Sequence, residues 1–215
     1  MVRGNMDRLY REIDIFNKVL ESKRDNFLIS DAMDLSAGLD RSIYIPTVLE
    51  DSATSIDIAI RYWNRFDDDE KIPVEDREPI KIYIDCIGGS LTDGFSIADS
   101  IKLSKTPVYT YVTGVALSGG FNIAISGHKR FCYPHASFLF HEGSIAEFGG
   151  DANKFANFAA YYKKQLEQMK ELVISSTGIT EEKYKEIKND DFWMTAQEAK
   201  ALGCVDIILG EDDVK

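Results

Sequence analysis

The chain has 215 residues, between one and two domains at roughly 150 residues each, and with 44% hydrophobic and 28% charged residues it has the composition of a folded globular protein. Its 25 Lys and Arg against 36 Asp and Glu give a formal charge of −11, so most of the surface repels phosphate backbones and anionic lipid, which argues against nucleic acid and membranes as partners. No apolar run approaches the roughly 18 residues of a spanning helix, and the polar start MVRGNMDRLYREID lacks a secretory pattern, so the expected location is cytoplasmic.

Met6, Leu9, Ile13, Phe16 and Leu20 recur at helical spacing and predict an amphipathic helix over 6–20, within an N-terminal helical segment over 1–40. SIYIP (42–46) alternates as a short strand ending at Pro46, and 50–66 reads as a helix. The acid run and proline of DDDEKIPVEDRE (67–78) predict a solvated loop. IKIYIDC from Ile80 is a continuous buried-strand run, followed by a glycine break and then a helix through Phe95, Ile97, Ala98 and Ile101. The unit repeats: TPVYTYV (106–112) is β-rich, Gly114 and Gly119-Gly120 bracket a turn, and FNIAIS continues as a helix. Two strand–glycine–helix units within about 45 residues argue βαβ units and a largely parallel sheet. HKRFCYP (128–134) and ASFLFHE (136–142) predict two more strands, 151–176 the longest helix, and Thr180 the N-cap of the next. The chain closes with FWMT, a short helix AQEAKALG and a strand CVDIILG.

Cys86, Cys132 and Cys204 form no CxxC pair and sit in apolar runs, so they read as buried reduced thiols. His128, His135 and His141 lack metal-helix spacing, and no zinc site is expected. Neither GxGxxG nor GxxxxGK[ST] occurs, so nucleotide binding has no specific support.

The two glycine turns are where chemistry could sit, because a helix leaving a buried strand offers unpaired N–H groups and its positive dipole end. In IGGS, Gly88 and Gly89 allow close approach of a ligand, though GG also suits an ordinary tight turn. In GVALSGG (114–120), Ser118 stands between strand and helix with the N–H of Gly119 behind it. Position 116 is Ala, so this is not GxSxG, and Ser118 alone also reads as an N-cap. His141, 23 residues on, suits a general base and equally a structural histidine. Asp190, Asp191, Glu142 and Glu147 are all local choices for an orienting acid.

From about Ile80 to Gly210 the chain resembles the proteolytic subunits of the Clp protease, the ClpP family. The resemblance is carried by IYIDCIGGSLTDGFSIADSI, by GVALSGGFNIAISGHKRFCYPHASFLFHE and by TGITEEKYKEIKNDDFWMTAQEAKALGCVD. It implies an α/β fold of the ClpP/crotonase type, a spiral of repeated ββα units in one peptidase domain over 1–215, with the region 143–176 as a protruding handle. It further implies a serine endopeptidase without metal or organic cofactor, with Ser118 as nucleophile, His141 as base, Asp191 as orienting acid, and Gly89 and Gly119 as backbone donors to the oxyanion. The subunits would stack as two rings, heptameric in the family, enclosing sites for peptides or unfolded proteins fed by an AAA+ unfoldase. The family's proline before the paired glycines is Ile87 here, and its Gln-Pro after the histidine is Glu142-Gly143. Beside this stand a catalytically silent ring subunit, a virus capsid-maturation protease, and an acyl-CoA hydratase or isomerase of the crotonase fold.

Overall fold

Isoleucines at alternate positions of the strand β2 (Ile80–Cys86) point Ile80, Ile82, Ile84 and Cys86 into the core. The computed structural model describes residues 40–47, 49, 52–143 and 151–212, so the predicted helix over 6–20, most of the N-terminal segment and Glu147 lie outside the described residues. Lys81 and Tyr83 face the other way and remain half-exposed, so β2 alternates and is not the two-sided buried run expected of it. On that second face Tyr44, Tyr83, Tyr111 and Phe131 stack across four strands with successive ring centroids 5.0, 5.0 and 4.5 Å apart.

β2 is flanked in parallel by β1 (Ser42–Thr47) and β3 (Val108–Leu117), and the described sheet has seven strands. The first half of β3 pairs in parallel with β4 (Lys129–Cys132) and its second half with β5 (Ser137–Phe140). β5 also pairs antiparallel with β6 (Phe192–Thr195), while β7 (Ile207–Ile208) extends the sheet beyond β4. The helices are α1 (Ser52–Asp69), α2 (Leu91–Lys102), α3 (Gly119–Ala124), α4 (Ala152–Ser176), α5 (Glu181–Ile187) and α6 (Ala196–Ala201). Side chains from all six helices pack against the strands in one apolar cluster, giving a mixed α/β fold with a mostly parallel sheet. Thr180 caps α5 as expected, its hydroxyl accepting from Lys183 N–H.

Several boundaries differ from expectation, each for a local reason. β1 runs through Pro46 to Thr47 at the edge of the described sheet, where the missing N–H costs no ladder bond among the described residues. Gly114 lies inside β3 and does not open the turn; a Cβ there would meet the Asp85 carboxylate, which accepts from Val115 N–H at 3.0 Å. The predicted terminal strand contracts to two residues.

The largest departure is at 67–78. α1 continues to Asp69, a 3-10 turn follows at Val74–Asp76, and Asp67 and Arg77 are buried. Arg41 grips Asp67 through two bonds of 2.7 and 2.8 Å and lies over the Trp63 ring, 4.3 Å from its centroid. Thr106 donates to the same carboxylate at 2.7 Å. This cluster ties the start of β1 to the end of α1 and the approach to β3. Among the described residues no helix is long and apolar enough to cross a membrane.

Candidate active site

Strand register, not sequence proximity, assembles the candidate residues. In the parallel β3–β5 pair Leu117 lies opposite Leu139, so Ser118 and His141 emerge from neighbouring strand ends. In the antiparallel β5–β6 pair Phe140 lies opposite Phe192, which brings Asp191 across from His141 although the two are 50 residues apart. The result is a continuous chain: Ser118 Oγ lies 2.8 Å from His141 Nε2, and His141 Nδ1 lies 3.1 Å from Asp191 Oδ1.

The backbone of Ser118 occupies φ 54°, ψ −117°, a region a non-glycine residue adopts only under constraint. The constraint is visible: its N–H donates to Leu139 O at 3.0 Å, and its carbonyl accepts from Asn122 N–H at 3.2 Å as the first turn of α3. Ser118 stands at the N-cap position of α3, yet its hydroxyl makes no capping bond and turns to the imidazole instead. Of the other acids considered, Glu142 accepts from the Tyr184 hydroxyl at 3.1 Å, and Asp190 follows α5 in a turn, its N–H donating to Ile187 O.

Gly88 and Gly89 follow β2 with φ of 110° and 146°. Only glycine fits at either position: a Cβ on Gly88 would stand 2.9 Å from Ser118 Cβ, and one on Gly89 3.1 Å from Leu49 Cβ. Gly88 is held on both sides, its N–H donating to Cys86 Sγ at 3.3 Å and its carbonyl accepting from Leu49 N–H at 3.0 Å. This turn lies against the start of α3, so the N–H groups of Gly89 and Gly119 flank the serine, and neither meets an acceptor among the described residues.

The serine opens onto a cleft of about 390 Å³ lined by Ile87, Leu91, Asn122, Leu139 and Met169 among others. Tyr162 of α4 donates to Glu142 O at 2.9 Å and so fastens the segment after His141 to the long helix. Burial, with Glu142 close by, pushes the Tyr184 and Tyr162 hydroxyls above their usual range, so both remain protonated donors. Neither Asn122 nor the roles of Cys86, Leu49 and Tyr162 are visible in the sequence, where no motif sets these residues apart. Among the described residues no three His, Cys, Asp or Glu side chains converge as metal ligands.

Residues 73–212 match the family model described as Clp protease. The chain belongs to the Clp protease family. It is 38% identical over 132 residues to the ATP-dependent Clp protease proteolytic subunit 2 of Corynebacterium glutamicum, a match covering 60% of this chain and 65% of that protein. It is 34% identical over 135 residues to proteolytic subunit 1 of Chlamydia caviae, covering 61% of this chain and 71% of that one. The longer match, 32% identity over 180 residues to the proteolytic subunit of Leuconostoc citreum, covers 82% and 86%. The chain thus spans just under two thirds of the Corynebacterium relative.

Proposed function

We propose that this chain is a serine endopeptidase that cleaves peptides or unfolded polypeptides. The observation that carries the reading is the Ser118–His141–Asp191 chain of contacts, with the serine on a strained strand-to-helix turn between two unpaired backbone N–H groups. Ser118 Oγ attacks the peptide carbonyl as its proton passes to His141 Nε2. The carbonyl oxygen becomes the oxyanion, held by the N–H groups of Gly89 and Gly119. The imidazolium then gives its proton to the leaving amine, forming the acyl-enzyme. Water, deprotonated by His141, attacks this ester, and the proton returns to Ser118. Asp191 holds the tautomer in which Nδ1 carries hydrogen and Nε2 is free to accept.

The relatives' names, proteolytic subunits of an ATP-dependent protease, support assembly with other subunits and an ATPase, here taken to be stacked rings. The long helix supports it independently: in its N-terminal half the large apolar side chains of Phe155 and Tyr161 are 50% and 56% exposed, while burial along the helix is confined to Met169 and Val173 near its other end. An acyl-CoA hydratase would use the two N–H groups but leaves the serine–histidine contact without a task. The deciding experiment is labelling with a fluorophosphonate, followed by peptide mapping. Modification at Ser118, lost on denaturation, is expected; a folded protein that takes no label contradicts the reading.

A further inference from the structure

Asn122 lies one helical turn beyond Ser118, about 6 Å along α3 and on the same face. It lines the cleft, it is 1% exposed, and among the described residues its Oδ1 has no hydrogen-bond partner. A buried acceptor without a donor is unfavourable in the free protein, and asparagine is a poor helix former, so neither stability nor helix propensity accounts for the residue. The cleft carries apolar Leu139 and Met169 and also the polar Ser90, Ser118, Glu142 and Tyr162, and none of these bonds Asn122 Oδ1. What the site lacks is a hydrogen-bonding group arriving from the cleft.

We propose that Asn122 reads the side chain of the residue whose carbonyl Ser118 attacks, and that the cleft selects a primary carboxamide there, glutamine or asparagine, over an aliphatic side chain of similar size. The inference rests on the serine-peptidase reading and adds the substrate class. With the carbonyl on Ser118 and its oxygen toward Gly89 and Gly119, the adjoining side chain descends into the cleft whose wall Asn122 forms. Two carboxamides pair through a donor and an acceptor each, whichever way round the Asn122 amide is turned. A serine side chain is too short to span a helical turn. A cationic one finds no free counter-charge, because the Glu142 carboxylate is bonded to Tyr184 and has Lys188 Nζ 3.9 Å away. A site that hydrogen-bonds its substrate rejects the analogue that cannot answer it more strongly than an apolar pocket rejects a misfit.

The test uses two peptidyl phosphonate diphenyl esters that phosphonylate the serine, its Oγ bonding to phosphorus as phenol leaves, and that differ only in carrying a glutamine or a methionine side chain next to phosphorus. The glutamine reagent is expected to modify Ser118 about tenfold faster or more, and Asn122→Leu is expected to bring that ratio to one or below. Equal rates in the parent, or an unchanged ratio in Asn122→Leu and in the smaller Asn122→Ser, overturn the proposal. The parent ratio decides by itself should the leucine variant not fold. A protein labelled by a small fluorophosphonate but by neither peptidyl reagent overturns the pocket assignment alone, whereas one labelled by none of the three overturns the serine-peptidase reading beneath it.

Discussion

Two side-chain pairs stand at opposite extremes of burial. Arg41 and Asp67 are 1% and 0% exposed, joined by two bonds, with Thr106 on the same carboxylate. His141 and Asp191 are 30% and 64% exposed and joined by one. The buried pair, with its charges removed from water, tolerates no missing partner, so it serves to lock β1 to α1. The open pair contributes little to holding the fold, since solvent screens it, but the imidazole keeps a free nitrogen facing a nucleophile and a cleft. The structural pair is withdrawn from water and shares its carboxylate with Thr106, whereas the candidate reactive pair stays partly exposed beside a cleft.

The comparison can be broken most severely at the serine. Ser118→Ala is expected to lower peptide hydrolysis by roughly three orders of magnitude or more while leaving the thermal midpoint nearly unchanged; activity within tenfold of the parent would remove the triad. Asp191→Asn should likewise cost orders of magnitude in kcat by favouring the wrong tautomer, whereas Asp190→Asn should cost little, and steady-state kinetics on the two variants check which carboxylate acts.

At the buried pair the balance reverses. Asp67→Asn leaves Arg41 uncompensated and should cost about 3–5 kcal/mol of stability in denaturant titrations, with the activity per folded molecule retained. A loss below about 1 kcal/mol would show that water reaches the pair. On α4, Phe158→Glu with Tyr161→Glu is expected to split the proposed assembly by placing two carboxylates at its interface, and sedimentation velocity reads it directly; an unchanged large particle would place this face inside the protomer. The smallest effect concerns the thiols. Burial pushes Cys132 to about 11, Cys204 to about 12, and Cys86 upward, so no thiolate is presented at pH 8 and all three should react with a disulfide reagent only after unfolding.

β2 and the helix α2 were legible because each is periodic and the paired glycines at 88–89 separate them. The serine turn was legible for the same reason. Asp67 was not: it sits in a DDDE run whose local composition is that of a solvated loop, and its partner Arg41 is 26 residues earlier. Local reading left the choice among Asp190, Asp191, Glu142 and Glu147 open because it turns on the β5–β6 register, a long-range property no spacing encodes, and the family resemblance supplied Asp191 in advance. Gly114 misled because a glycine within a strand, kept small by a neighbouring carboxylate, looks in sequence like one that starts a turn. Asn122 was passed over since it lies among apolar neighbours, and only the third dimension shows an acceptor without a donor.

β5 touches both halves of the candidate machinery, β3 on one edge and β6 on the other. A slip of β5 by one residue would turn His141 to the opposite face of the sheet, and a slip of two would restore the face but carry the ring about 7 Å away. No intermediate placement lets the imidazole touch Ser118 and Asp191 together. On the proposed reading, a chain with a misthreaded sheet therefore loses the Ser118–His141–Asp191 contacts altogether and is inactive, with no route to a merely altered substrate preference.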